Sequence, residues 1–237
     1  MPSELRYNAS AMPESEVKDK DEVVHESRKR TDARSVIIRL AVTGVAIVVW
    51  FWTQSLIGAR GAPAGVIGDR LHDLTGFANL YLHVHPAAAN LLLIVSSGII
   101  DLMGLFLLAG WIFGGSIRPF LSLVIVLGLR QIMQGLVVLP APPNSIWHYP
   151  GFPSLLVTYN VSNDYFFSGH TAIAVLAVAE IARLRKRWLT AVGVLVALFE
   201  VATVLVLRAH YTIDVFTGVL TGLYAAYVAS SLTAQKK

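Results

Sequence analysis

The chain contains no cysteine and comparatively few charged residues. The absence of cysteine from its 237 residues excludes a disulfide framework, a thiolate nucleophile and a cysteine metal site. Charged residues make up 14% of the sequence and hydrophobic residues 55%, whereas an ordinary soluble domain carries about 25% charged residues. This scarcity of charge predicts a polytopic membrane protein.

Six apolar runs have the length that a membrane-spanning helix requires, about 20 residues for a hydrocarbon core of about 30 Å. The fourth is the shortest, and it crosses the core only if Arg183 and Arg185 extend their side chains to the interface. The connection 58–86 is weakly amphipathic, which predicts an interfacial segment. We therefore predict an all-α fold with one catalytic domain, residues 36–232, and six transmembrane helices at about 36–57, 87–113, 118–139, 168–184, 188–208 and 212–232.

The distribution of basic residues predicts the orientation in the membrane. Residues 1–35 are polar and contain no apolar run, which predicts a disordered tail. Basic residues precede the first helix, fill the turn 183–187 and end the chain, whereas the loop 140–167 has neither lysine nor arginine. Because lysine and arginine concentrate on the cytosolic side, we predict cytosolic tails at 1–35 and 233–237 and an extracytosolic loop at 140–167. The endoplasmic reticulum, the Golgi and the plasma membrane are all compatible locations.

Two short segments place histidine at the ends of apolar runs, where a titratable group is costly unless it has a function. Segment 164–171 reads Asp-Tyr-Phe-Phe-Ser-Gly-His-Thr, and segment 208–215 reads Arg-Ala-His-Tyr-Thr-Ile-Asp-Val. The predicted topology brings His170 and His210 to the same extracytosolic side. His210 and Asp214 are spaced i, i+4, so the carboxylate can hold one imidazole nitrogen. A His-Asp pair beside a second histidine suits nucleophilic and acid catalysis.

The same segment also suggests a phosphate site. Ser168 and Gly169 would place backbone N–H groups at a helix N-terminus, which favours a phosphate group. No cluster of carboxylates suggests a bound metal ion, and His83 and His85 alternate too closely to share one helical face. The sequence therefore predicts chemistry without a metal ion or another cofactor.

These segments resemble the signature pair of the sphingomyelin synthases, a branch of the type 2 phosphatidic-acid phosphatase superfamily. The resemblance is carried by Asp-x-x-x-Ser-Gly-His-Thr at 164–171 and His-Tyr-Thr-x-Asp-Val at 210–215, and by Leu-Arg at 129–130 leading to Leu-Pro-Ala-Pro at 139–142. The segments also resemble the plant phosphatidylcholine:diacylglycerol cholinephosphotransferases. The motifs cover about residues 125–215, and the six-helix layout extends the resemblance loosely to 36–232.

The resemblance implies a membrane lipid phosphotransferase. Such an enzyme would move a phosphocholine or phosphoethanolamine head group from a glycerophospholipid to ceramide or diacylglycerol through a phosphohistidine intermediate. By resemblance, His210 is the nucleophile, Asp214 orients and polarises it, and His170 transfers protons to and from the lipid alcohols. Arg130 and Arg208 would neutralise the phosphoryl oxygens. The implied partners are a phospholipid donor, a lipid-alcohol acceptor and the membrane, and no nucleic acid.

Several of these residues also have a purely structural interpretation. Asp164 matches the acidic position of the first motif, but it could serve only as a helix N-cap. Arg130 could form an ion pair with Asp101 or Glu200, and Arg208 could simply extend to the interface. The intramembrane carboxylates are interpreted first as helix-packing groups: Asp101, Glu180 and Glu200.

Two other functions compete with a transferase. A lipid-phosphate phosphatase of the same superfamily would pass the phosphoryl group to water, but its Lys-x6-Arg-Pro motif is absent and Val204 stands where that branch carries arginine. A non-catalytic lipid-binding or scramblase-like protein could keep the same scaffold. The presence of His170, His210 and Asp214 favours an enzyme over that alternative.

Overall fold

The computed structural model describes residues 33–59, 65, 67–159, 161 and 164–234. Within these residues the chain forms eight helices and no strand, which confirms the all-α prediction. The helices are α1 (Ala33–Gly58), α2 (Arg70–Leu74), α3 (Gly76–Val84), α4 (Pro86–Ile112), α5 (Arg118–Leu136), α6 (Gly169–Ala182), α7 (Arg187–Val206) and α8 (Thr212–Ala234).

The predicted tails fall mostly outside the described residues. Residues 1–32 and 235–237 are not among those described. Residues 33–35 begin α1 and residues 233–234 end α8, so these two helices extend slightly further than the predicted tail boundaries allow.

Five of the described helices are long and apolar enough to cross a membrane: α1, α4, α5, α7 and α8. They indicate an integral, multi-pass membrane protein. The fourth predicted span corresponds to α6, which is apolar but has 14 residues and therefore a length of about 21 Å. The helix is shorter than predicted because it ends at Ala182. The predicted span ended at residue 184 and required Arg183 and Arg185 to extend their side chains to the interface.

Helix α6 lies at the centre of the bundle and packs against α4, α5, α7 and α8. Two glycines one turn apart on α8 allow the closest of these approaches. A Cβ atom at Gly218 would lie 2.7 Å from the carbonyl oxygen of Ser168, and one at Gly222 would lie 2.8 Å from that of Ala172. Paired small residues are a common means of close helix packing in membranes, and here they join α6 and α8.

Helix α1 lies at the periphery and packs against α4 and α5. Most of its side chains are exposed, as expected for a helix that faces lipid. At one end Arg39 donates hydrogen bonds to the carbonyl oxygens of Trp111 (3.0 Å) and Ile112 (3.1 Å) at the end of α4. At the other end Gln54 accepts a hydrogen bond from Gln131 of α5 (2.7 Å).

The two ends of the bundle differ in chemistry. At one end Arg118, the first residue of α5, forms a two-point ion pair with Glu180 near the end of α6, with N–O distances of 3.0 and 2.8 Å. Arg183 lies 3.4 Å from the same carboxylate. This end carries the basic turn predicted to be cytosolic. The opposite end gathers the C-termini of α5 and α7 and the N-termini of α6 and α8, which places the two histidine motifs together.

The segment that joins α5 to α6 folds back into the bundle and is not a simple surface loop. Asp101, in the middle of α4, accepts hydrogen bonds of 2.9 Å from the Ser154 hydroxyl and from the N–H groups of Leu155 and Leu156. Irregular backbone at membrane depth needs such internal partners. Asp101 is therefore a structural carboxylate, as predicted, and it holds this re-entrant segment.

The connection between α1 and α4 contains the predicted interfacial segment as α2 and α3. One face of α3 exposes Phe77, Leu80 and Tyr81, while Asn79 on the other face donates hydrogen bonds to the carbonyl oxygens of Asn144 (3.2 Å) and Val206 (2.9 Å). An exposed apolar face opposite a polar anchored one is typical of a helix that lies at the membrane surface.

Candidate active site

A cavity opens among the helix ends that carry the two motifs. Counted with the open space at its mouth, it has an empty volume of about 530 Å³. Four of the predicted site residues with functional side chains line it: Arg130, Asp164, His170 and His210. Gly169 lines it as well, whereas Ser168, Asp214 and Arg208 are not among its lining residues.

His210 is buried just before the first turn of α8 and is fixed by backbone contacts. Its Nδ1 lies 2.8 Å from the carbonyl oxygen of Tyr165. Because a carbonyl oxygen only accepts, Nδ1 must carry the proton. The unprotonated nitrogen of the neutral ring is then Nε2, the atom that a nucleophilic role requires.

Asp214 is fully buried but does not hydrogen-bond His210 directly. Its Oδ2 lies 3.8 Å from His210 Nδ1, too far for a hydrogen bond, and accepts the N–H of Tyr211 at 2.8 Å. The same carboxylate thus caps the first turn of α8 and places a negative charge beside the imidazole. The carboxylate therefore lies near the imidazole, but it does not hold a ring nitrogen as the sequence had predicted, because His210 precedes α8 and the Tyr165 carbonyl oxygen occupies the hydrogen-bonding position.

His170 occupies the first turn of α6, at the wall of the cavity. Its Nε2 is buried and has no hydrogen-bond partner among the described residues. The ring of Trp147 packs edge-on against it with a centroid distance of 5.3 Å. Trp147 is itself held by a 3.2 Å hydrogen bond from its indole N–H to the Thr158 carbonyl oxygen. The imidazole is therefore oriented by packing and retains one unused polar atom.

Arg130 is buried and pairs with Asp164. Its guanidinium contacts the Asp164 carboxylate through Nη2 and donates from Nε to the Phe167 carbonyl oxygen at 3.1 Å. Asp164 also accepts hydrogen bonds from Gln134 and, at 2.8 Å, from Thr158. The alternative that Arg130 pairs with Asp101 or Glu200 is not what the structure shows.

Ser168 and Gly169 form the N-terminus of α6. The Ser168 hydroxyl caps the helix by accepting the N–H of Thr171 at 3.3 Å, so Ser168 and not Asp164 is the N-cap. A Cβ atom at Gly169 would lie 3.0 Å from Arg130 Nε. The absence of a side chain at position 169 lets the guanidinium approach the helix end.

Arg208 lies away from the cavity wall. Its guanidinium donates to the carbonyl oxygens of Pro143 at 2.8 Å and His72 at 3.2 Å. Its φ of 51° is the left-handed conformation that glycine more often adopts after a helix end. Arg208 thus joins its own segment to those that contain Pro143 and His72. Its predicted contact with phosphate stays a prediction.

The remaining buried carboxylates contact polar groups that belong to the bundle. Glu180 pairs with Arg118 as described above. Glu200 on α7 is fully buried and accepts a 2.6 Å hydrogen bond from the Ser96 hydroxyl on α4. Among the residues that the structure describes, no group of three or more His, Asp or Glu side chains is placed to hold a metal ion.

The sequence did not reveal that residues in and beside α2 hold the segment that contains His210. His72 Nε2 lies 2.9 Å from the carbonyl oxygen of His210, and Asp69 accepts the N–H and the hydroxyl of Thr212, both at 2.6 Å. Burial alone would raise the pKa of Asp69, but the hydrogen bonds from Thr212 outweigh it and the pKa lies below the ordinary 3.8. The polar residues Asp69 and His72 in this connection were the available signal.

Tyr165 was also missed, because its backbone carbonyl and not its side chain holds His210. Its phenol lines the cavity, and burial together with the nearby Asp164 carboxylate raises its pKa above the ordinary 10.0. The phenol is therefore protonated at neutral pH and can act as a hydrogen-bond donor.

The fold and the site define the class of protein. It is a helical, multi-pass membrane protein with a cavity at one end of the bundle, and two histidines and a buried arginine line that cavity. Comparison with known proteins then identifies the family. The family model described as AtPDCT1/2 matches residues 69–231, and the chain belongs to this family. The match begins at Asp69 and contains every site residue named above, whereas α1 lies before it.

A curated relative agrees with this assignment. The chain is 26% identical over 172 residues to phosphatidylcholine:diacylglycerol cholinephosphotransferase 1 of Arabidopsis thaliana, which covers 73% of this chain and 54% of that protein. The chain thus spans about half the length of the curated relative that it matches. No solved structure gives a significant match. The predicted resemblance to the plant cholinephosphotransferases is confirmed, and the wider link to sphingomyelin synthases and the phosphatase superfamily stays a prediction.

Proposed function

We propose that the protein is a membrane phosphotransferase that moves a phosphocholine or phosphoethanolamine head group from a glycerophospholipid to a lipid alcohol. The observation that carries this proposal is the bond between His210 Nδ1 and the Tyr165 carbonyl oxygen. It leaves Nε2 as the nucleophilic nitrogen, in a cavity that also contains His170 and Arg130. Family membership supports the same reaction class.

In the first half-reaction, the lone pair on His210 Nε2 attacks the phosphorus of the donor. The bond between phosphorus and the glycerol oxygen breaks, and protonated His170 gives its Nε2 proton to the departing oxygen. Diacylglycerol leaves, and the head group stays on His210 as a phosphohistidine. The positive charge that develops on the His210 ring is balanced by the Asp214 carboxylate 3.8 Å from Nδ1.

In the second half-reaction, the acceptor alcohol gives its proton to His170 Nε2 while its oxygen attacks phosphorus. The bond between phosphorus and His210 breaks, and both histidines return to their starting states. Among the described residues His170 Nε2 has no hydrogen-bond partner, so this atom is available for the alcohol in both steps.

Arg130 would stabilise the negative charge on the phosphoryl oxygens. Its Nε and Nη2 already contact Phe167 and Asp164, which fixes the plane of the guanidinium and leaves Nη1 for the substrate. Asp164 is then a positioning residue for Arg130. We propose phosphatidylcholine and diacylglycerol as the principal substrate pair because the curated relative carries both in its name, with ceramide and phosphatidylethanolamine as further members of the same class.

The test is head-group transfer by purified protein in liposomes. Phosphatidylcholine labelled in the choline is incubated with ceramide, or with diacylglycerol whose acyl chains differ in length from those of the donor, and the lipids are separated by mass. We expect labelled product that depends on the acceptor, and loss of that product in His210→Ala. His85→Ala is the matched control, because His85 contacts the Tyr81 carbonyl oxygen within its own segment. Release of phosphate from phosphatidic acid, without any transferred product, would instead identify a phosphatase.

We also propose that the cavity faces the extracytosolic side, because it lies at the opposite end from the basic turn 183–187. Since the chain has no cysteine, single cysteines can be introduced without removing any. In sealed cells an impermeant maleimide should label Tyr149→Cys, whose parent side chain is exposed, and should label Arg185→Cys only after permeabilisation. The reverse pattern would place the site on the cytosolic side.

A further inference from the structure

A second, apolar crevice adjoins the cavity that holds the histidines. It lies between α1, α5 and the re-entrant segment and has an empty volume of about 460 Å³, including the space open to the outside. Its lining is almost entirely hydrocarbon, with Ala46 on α1, Phe120 on α5 and Leu155 on the re-entrant segment among the side chains that form it. Such a surface binds alkyl groups and not head groups.

The crevice shares part of its lining with the polar cavity. Trp50, Leu127 and Leu156 line both spaces. Trp50 also lies near the guanidinium of Arg130, with 5.9 Å from the ring centroid to Cζ. The junction therefore lies directly beside the group that is proposed to bind the phosphate.

The crevice runs from this junction toward the end of the bundle at which α5 begins. On α1 it extends from Trp50 back to Thr43, and on α5 from Leu127 back to Phe120. Each stretch covers eight residues, with an axial rise of about 10 Å between its ends. The two helices run in the same direction, so both stretches extend from the junction toward the same end of the bundle. The axis of the crevice is thus parallel to the helices, which is the direction of a lipid chain whose head group lies in the cavity.

The wall between the two spaces is held firmly. Asp101 accepts the backbone N–H groups of Leu155 and Leu156. The side chain of Leu156 fits over Gly104 on α4, where a Cβ atom would lie 2.1 Å from Leu156 Cδ1. At the junction, the indole N–H of Trp50 is buried without a hydrogen-bond partner in the described part of the chain. The ester carbonyl oxygen at the start of an acyl chain is a hydrogen-bond acceptor that this N–H could bind.

We propose that the crevice binds the proximal part of one acyl chain of the glycerolipid substrate, with its head group among Arg130, His170 and His210. This inference rests on the proposed function and adds the chain-binding site and its direction. One acyl chain spans one leaflet, about half of a hydrocarbon core of about 30 Å, so about the first two thirds of the chain lies in the crevice and the remainder lies in the bilayer. Helix α1, which forms one wall of the crevice, precedes the residues matched by the family model.

The first test does not depend on turnover. Two phosphatidylcholine probes are used: the proximal probe carries a diazirine in the third of one acyl chain nearest the glycerol, and the terminal probe carries it at the end of that chain. Wild-type protein in liposomes is illuminated with each probe, and the adducts are located by mass spectrometry. The proximal probe should label the inward-facing side of α1 at Ala46 and Ile47, in competition with unlabelled phosphatidylcholine. The terminal probe should label lipid-facing residues such as Val45. Equal labelling of both faces by the proximal probe would overturn the proposal.

The second test uses two neighbouring residues of α1 that point in different directions. Ala46 lines the crevice, whereas Val45 is 64% exposed. Ala46→Phe should lower the ratio of kcat/KM for long-chain over short-chain phosphatidylcholine by about tenfold, the effect of losing a few well-packed methylene groups, while Val45→Phe should leave the ratio unchanged. An unchanged ratio in both variants would overturn the inference. If the wild type transferred no head group to any acceptor, the proposed function would be overturned. The labelling experiment would still show whether the crevice binds an acyl chain.

Discussion

Replacing Gly218 with alanine should separate α6 from α8 and disturb the site between them. A Cβ atom at position 218 would lie 2.7 Å from the Ser168 carbonyl oxygen and 3.1 Å from Thr171 Cβ. Ordinary C–H···O contacts begin at about 3.3 Å, so the helices must move apart there by about 0.6 Å. The N–H of Ser168 donates to the Asp214 carbonyl oxygen, and the displacement therefore acts directly between the two histidine segments.

Both stability and turnover should respond. Overpacking of this kind costs about 1–3 kcal/mol of unfolding free energy. A displacement of about 1 Å at a catalytic group can lower the rate about 100-fold, so a shift of about 0.6 Å should lower kcat by roughly tenfold or more. Thermal unfolding followed by tryptophan fluorescence measures the first effect, and transfer of labelled head group from phosphatidylcholine to diacylglycerol measures the second.

A second glycine provides the matched control. Gly98 lies within α4, and a Cβ atom there would have no described atom within 4 Å. Gly98→Ala should therefore leave kcat unchanged and, because alanine restricts the unfolded chain, should raise stability by about 0.4–1 kcal/mol. If Gly218→Ala behaved like Gly98→Ala in both assays, the close approach of α6 and α8 would not position the site.

Three further substitutions test other contacts. Asp214→Asn should strongly reduce transfer, and adding His210→Ala should reduce it little more because the two residues act as a unit; additive losses in the transfer assay would contradict this. Glu180→Gln should lower the unfolding free energy by about 3 kcal/mol, since it leaves the partly buried Arg118 without its charge partner, and an unchanged thermal unfolding curve would refute it. The lowered pKa of Asp69 means that its stabilising contribution is complete above pH 3.8 and is lost as the pH falls through the lowered pKa. The stability difference between wild type and Asp69→Asn should accordingly be constant near neutral pH and shrink below about pH 3.8, and a difference that grew in acid would have the wrong sign.

The sequence predicted the long helices well because their signal is local. The bilayer fixes both length and apolarity, so the predicted spans agree with the ends of α1, α4, α7 and α8 to within a few residues. Helix α5 ends at Leu136 and not at 139, because the residue before Pro140 is disfavoured in the helical conformation and the chain becomes extended at Val137.

The contacts that complete the site were not predictable in the same way, because each joins residues far apart in the sequence. The histidine motifs indicated that His170 and His210 would lie together. Nothing local indicated that the Tyr165 carbonyl oxygen would hold the His210 ring, or that the His72 side chain would hold the His210 carbonyl oxygen. The re-entrant segment escaped prediction for a related reason. Its composition is that of an ordinary loop, and its place in the bundle depends on Asp101, a distant residue that accepts its N–H groups.

The shortness of α6 has a consequence for how the protein is made. A 14-residue segment of about 21 Å does not cross a hydrocarbon core of about 30 Å unaided, and it emerges from the ribosome before α7 and α8. Its stable insertion therefore has to wait for those later helices. His170 reaches its final position only when α8, which begins beside His210, is in place. The two histidines that line the cavity are thus brought together at the last step of membrane insertion.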